Sequence, residues 1–172
     1  MPPFDPSAYG PGVAALLAAD RLPELGPGTP VMERRADIAT AAKVLPPACA
    51  AGLWLLFDFL DESHRISQED EGNPDRDFWH AVMHRREPDP SNSKYWWRRV
   101  GPHPVLTQLR EHAPALGYTY TTPEAFVDVC EQVRGSGSAD EELARRVQLL
   151  EWRLLFDHCY RAGSPRRAAS SE

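Results

Sequence analysis

"NPDRDFWHAVMHRREPDPSNSKYWWRRVGP", residues 73 to 102, holds two helices and the corner between them in thirty residues. Asn73-Pro74 places a side-chain acceptor at a cap position and proline at the first helical position, where a missing N–H is harmless. Pro88 closes that helix, because proline lacks the amide donor and pushes the residue before it out of helical geometry. Asp89-Pro90 repeats the opening device, and Gly101-Pro102 stops the second helix. Helices over roughly 74–87 and 90–100, joined by so short a link, must fold back as a tight hairpin.

The same punctuation organises the chain on both sides. Residues 1–30 are rich in proline and glycine and predict an irregular N-terminal arm that wraps the surface, with one short helix over Val13–Ala19. A second helix is expected from about Met32 to Lys43. "PPACAAGLWLLFDFLDESHRISQ", residues 46–68, reads as one long helix, apolar on every face between Ala48 and Phe57 and therefore central and buried. Past the hairpin, a short helix should open at Pro104 and stop before Pro114, and another should run from Thr122-Pro123 to Gly135. Ser138 and Glu141 form a capping box ahead of a final helix reaching about Arg161, with Leu143, Val147, Leu150 and Leu154 on one stripe. Residues 164–172 are expected to be a mobile tail. "GYTYTT", residues 117–122, is the lone β-like run.

The expected architecture is therefore all-α: a compact single-domain bundle over 31–163, with the 74–100 hairpin packed on a long central helix. Ala81, Ser93, Trp97 and Val100 have the spacing of small and large packing positions in a tetratricopeptide unit, but no second copy follows at 34 residues, which argues against a solenoid.

Composition narrows the function classes. The 172 residues carry a net charge of −6, which opposes a nucleic-acid backbone unless a local basic face offsets it. The basic excess sits in the middle of the chain, seven basic against five acidic residues over 74–113. Cys49, Cys130 and Cys159 cannot all pair and lack CxxC spacing, so neither a disulfide framework nor a thiolate zinc knuckle is indicated, and a reducing cytoplasm is the default. The first twenty residues lack a basic leader. The longest uncharged stretch, Val44–Phe57, is too short to span a bilayer.

Four groups of residues could carry chemistry. Asp58 and Asp61 sit in an apolar run, where an unpartnered carboxylate would lose several kcal/mol of hydration. His80 and His84 stand one helical turn apart; with Asp61 and His64 they would complete a three-nitrogen, one-oxygen shell for a divalent metal, with Glu62 or Asp58 as base for a bound water. That is the pattern of a metal-dependent hydrolase, although HxxxH lacks the glutamate of HExxH. Arg85, Arg86, Lys94, Arg98 and Arg99 could grip a small anion, with Tyr95 or Trp96 stacking on a ring. The competing assignment for the arginines is internal: neutralising Asp58, Asp61, Glu62 and Glu87 while the tryptophans fill the core. Lastly, Asp157, His158 and Cys159 close the final helix, but adjacent helical residues point about 100° apart, so Cys159 reads as a buried thiol.

"HAVMHRREPDPSNSKYWWRRVGPHPV", taken with "GLWLLFDFLDESHRISQ", resembles a family of small helical bacterial proteins of hypothetical status. The likeness covers roughly residues 50–110, with a weaker echo in "LEWRLLFDHC". The acidic link "EDEGNPDRD" and the proline-rich arm are its less typical parts. It implies a family and supplies no substrate, cofactor or catalytic residue. The reading that leads on sequence is a binding domain for a small anionic ligand or a protein partner, needing no cofactor; the metal hydrolase is its rival.

Overall fold

Six of the nine helices among the described residues begin with proline at the first or second position. The computed structural model describes residues 4–18 and 21–163. After a 3-10 turn at Pro6–Tyr9 come α1 (Pro11–Leu17), α2 (Arg35–Ala42), α3 (Pro47–Leu56), α4 (Leu60–Gln68), α5 (Pro74–Arg86), α6 (Pro90–Val100), α7 (Pro104–His112), α8 (Pro123–Val133) and α9 (Ala139–Gly163). The caps are those the chain spells out: Asn73 accepts from the amides of Asp75 and Arg76, Asp89 from Asn92, and Thr122 from Ala125. No strand forms among the described residues, and the 117–122 run is irregular chain that buries Tyr120. None of the described helices is long and apolar enough to cross a membrane.

α5 and α6 form the expected hairpin, their close approach set by small residues. Ser93 is fully buried and its hydroxyl donates to the Ala81 carbonyl at 2.7 Å, while Ala81, Trp97 and Val100 are buried around it. The hairpin packs on α3 and α4 through α5 and on α8 through α6; α9 runs past α3, α7 and α8. At Ser138 the hydroxyl accepts from the Glu141 amide at 3.2 Å, but the Glu141 carboxylate takes the amides of Gly135 and Gly137 instead of returning to Ser138. The box is half made, and the second half anchors the preceding loop.

Two expectations need correction. Residues 46–68 are not one helix. The chain breaks at Phe57–Phe59, where Asp58 adopts a left-handed conformation with φ of 67°. Aspartate tolerates that region better than bulky residues do. The break is held from outside, because Val31 donates its amide to the Phe57 carbonyl at 3.1 Å. The arm is not a surface wrapping either. Tyr9, Val13, Leu16 and Leu25 belong to the same apolar core as α3, α5 and α9, and the Tyr9 hydroxyl donates to Asp157 at 3.0 Å. The arm thus closes the core that the 31–163 helices leave open. Residues 164–172 lie outside the described residues.

Packing is tightest where α3 meets α5. Gly52 faces the Trp79 indole so closely that a Cβ would overlap the ring, and the Trp152 indole N–H donates to the Gly52 carbonyl at 2.7 Å. Any side chain at 52 would force the Trp79 indole aside.

Candidate functional site

The acidic break and the arginines of α5 make a buried polar centre. Arg86 donates to the carbonyls of Gly26 at 3.0 Å, Leu55 at 2.7 Å and Pro27 at 3.3 Å, and to the Asp58 carboxylate at 2.5 Å. Arg21 pairs with the other Asp58 oxygen. Gly28, at φ of +69°, lies against that carboxyl, where a Cβ would come within 2.5 Å of it. Adjacent helical residues diverge, so Arg85 points elsewhere: it pairs with Glu151 of α9, donates to Gln148 at 3.4 Å and lies 4.7 Å over the Phe126 ring. Both guanidiniums are almost completely buried.

That arrangement removes Arg85 and Arg86 from any surface anion grip; they are internal neutralisers. Of the four acids expected as their partners, Asp58 alone is one. Glu62 pairs with Arg35 at 2.6 Å and Glu87 with His84 at 2.7 Å, while Asp61 is exposed. Glu151, the acid that Arg85 does use, sits in "LLEWRLLF", an apolar run as conspicuous as the one around Asp58. The signal for it was there.

The remaining hairpin cations are divided. Lys94 pairs with Asp128 at 2.5 Å. Arg99 lies 5.0 Å over Trp96 and 5.9 Å over Tyr95, with Asp77 at 3.8 Å. Trp96 is buried and stacks on His80 at 3.8 Å between ring centroids, so it offers no face to a ligand, whereas Tyr95 is exposed. Arg98 is exposed and makes no ion pair among the described residues.

His64 of α4 and His80 and His84 of α5 come together at the α4–α5 interface. One ligating atom from each lies within 4.8 Å of the others. Ring centroids are 4.7 Å apart for His64 and His80, 5.2 Å for His64 and His84, and 4.8 Å for His80 and His84. His80 and His84 are buried and His64 is half-buried. Burial, and next the neighbouring His84, His64 and Arg99, push His80 down to about 3, so it is a neutral imidazole. Burial and His84 lower His64 as well. His80 Nδ1 is buried with no hydrogen-bond partner, one of seven such side-chain atoms among the described residues and the one that belongs to this histidine cluster. His84 Nδ1 meets the Glu87 carboxylate, which fixes the tautomer that leaves Nε2 with its lone pair. The Asn92 amide nitrogen stands 3.1 Å from that Nε2. Asp61, expected as the fourth ligand, is not among the converging groups. Asp61 lies one turn before His64 on the same helix but is exposed, so its carboxylate stays on the solvent side of the cluster.

A second polar cluster was not legible in the sequence. Asp75 of α5 accepts from His103 Nε2 at 2.9 Å and lies 3.1 Å from His158 Nε2 of α9. His103 Nδ1 accepts from the Val105 amide and caps α7, so its proton must reside on Nε2. Although burial works the other way, the two histidine hydrogen bonds hold the Asp75 carboxyl well below the carboxylate range. The hydrogen bond to Asp75 correspondingly raises His158, against its burial. Both imidazoles meet the same Asp75 oxygen, and the cluster works as a latch between α5, α7 and α9. Cys159, next along, is buried, as are Cys49 and Cys130. Comparison with protein-family models, with curated proteins and with solved structures finds no match for this chain.

Proposed function

We propose that the protein binds a divalent transition metal of the zinc class on His64, His80 and His84. The observation that carries this is an imidazole cluster whose innermost member, His80, is buried and neutral with Nδ1 unsatisfied. Neutral imidazole nitrogens suit zinc and its neighbours better than magnesium or calcium, which prefer oxygen. In a tetrahedral site with metal–nitrogen bonds near 2.0–2.1 Å the ligand nitrogens stand roughly 3.4 Å apart. Closing from 4.8 Å therefore asks each ring to move less than about 1 Å. The ion displaces the Asn92 amide from His84, losing one hydrogen bond worth about 0.5–1.5 kcal/mol.

Three protein nitrogens leave a fourth position for water, the composition of a catalytic rather than a closed structural site. His64, the half-buried member, marks the side from which water and substrate enter, and Glu87 behind His84 supplies the orienting carboxylate such sites use. The reaction class supported by this ligand set is metal-assisted hydrolysis. The test is zinc titration of chelator-treated protein by calorimetry, with cobalt substitution read in visible absorbance. One equivalent bound, and lost in His80→Ala and His84→Ala, is the expected result. A stoichiometry below about one tenth, or retention in both variants, overturns the reading.

A further inference from the structure

Most arginines among the described residues are engaged; Arg65 on α4 and Arg98 on α6 are not, and Arg98 shares a cleft with Arg110. Arg98 makes no hydrogen bond or ion pair among the described residues, and Arg110 uses only Nε, donating to the Thr121 carbonyl at 2.9 Å. Both line one cleft of about 390 Å³, bounded by the end of α6, the start of α7 and the start of α8. Two cations on the wall of one concavity repel each other, and low-dielectric walls sharpen the field between them.

The helices add to the same field. α7 and α8 both begin at this cleft, with cap residues His103 and Thr122 among its lining. The positive ends of these two helix dipoles add to the two guanidiniums, while the negative end of α6 at Gly101 offsets part of that field. Glu124 is the single acid in the lining, and it pairs with neither arginine. Trp97 and Leu106 form an apolar floor beside the charges. The lining mixes polar and apolar groups in similar measure, a mixture that suits a polar anion better than an apolar ligand.

We infer that this cleft binds the phosphate group of a small molecule, held by Arg98 of α6 and Arg110 of α7. Guanidinium matches the geometry of phosphate oxygens through paired N–H donors. Glu124 limits affinity by facing the same anion, and its removal tightens binding. The site shares no residue with the histidine cluster.

Calorimetry on chelator-treated protein at low ionic strength, with inorganic phosphate, a hexose phosphate and the neutral hexose as probes, decides the matter. The expected result is binding of both phosphates and not of the hexose, weakened tenfold or more by Arg98→Ala and by Arg110→Ala and strengthened severalfold by Glu124→Gln. Equal affinity for the two phosphates identifies free phosphate as the ligand; tighter hexose phosphate identifies a phosphomonoester. All three side chains lie toward the surface, and circular dichroism confirms that the variants fold. No heat at about 10 mM of either phosphate, or binding undiminished in both arginine variants, overturns the inference. Because the metal is removed beforehand, failure of zinc binding leaves this test intact.

Discussion

Arg86→Met removes the cation from the most enclosed ion pair that α5 makes with the chain break. The Arg86 side chain is 2% exposed and that of Asp58 3%, so neither group recovers hydration when its partner goes. The substitution keeps the aliphatic stem's bulk but strands the carbonyls of Gly26, Pro27 and Leu55 and leaves Asp58 to Arg21 alone. Breaking a buried pair from one side costs about 3–5 kcal/mol. Arg21 retains part of the Coulombic attraction, which places the expected loss near the lower end, about 3–4 kcal/mol. For a domain of this size that is ~6–16 °C in Tm, at about 2–4 °C per kcal/mol. Asp58→Asn is the matching partner variant, since asparagine accepts the φ of 67° at this position and the change is confined to charge. In the double variant no unbalanced charge stays buried at the break beyond Arg21, so its loss should fall short of the sum of the two singles by about 1–3 kcal/mol. Urea unfolding followed by tryptophan fluorescence measures all four species, provided the slope with urea is unchanged. A loss below about 1 kcal/mol for Arg86→Met, or additivity of the singles within about 0.5 kcal/mol, would refute the claim that this pair is a coupled interior element.

Gly52→Ala should destabilise by about 1–3 kcal/mol through overlap with Trp79, visible as a shifted urea midpoint and a changed tryptophan spectrum. Asp75→Asn tests the latch through pH. His158 is raised in the fold, so its contribution is present below its unfolded value near 6.5 and is lost as pH rises through the folded value; Asp75 is lowered, so its contribution is present above 3.8 and lost on acidification. The penalty of Asp75→Asn in urea unfolding should accordingly be largest near pH 5–6 and smaller at pH 9; a penalty that grows with pH contradicts the assignment. The thiols Cys49, Cys130 and Cys159 should react with a disulfide reagent only on unfolding, since all are buried and burial pushes Cys130 up to about 11. Fast reaction of any native thiol would contradict this.

How far the chain's own letters carried depended on range. Helix starts and stops were legible because proline at the first helical turn, side-chain caps and glycine stops act within three or four residues, and α5, α6, α7 and α8 begin where those signals stand. The hairpin followed from the short link alone, and the convergence of His80 and His84 from one helical turn. The apolar stripe of α9 likewise needed nothing beyond its period. Tertiary structure decided the rest. The break at Asp58 is held by contacts from Val31, Gly28 and Arg21, residues that local pattern cannot see, and packing left Asp61 on the exposed side of α4. Arg85 found Glu151 sixty-six positions away rather than an acid nearby, because in a packed interior a charge is matched by whichever opposite charge shares its enclosure. Asp75, His103 and His158, and the presence of Arg98 and Arg110 in the lining of one cleft, have the same origin: sequence separation does not encode distance once helices pack, so helix ends were readable one by one while their meeting points were not.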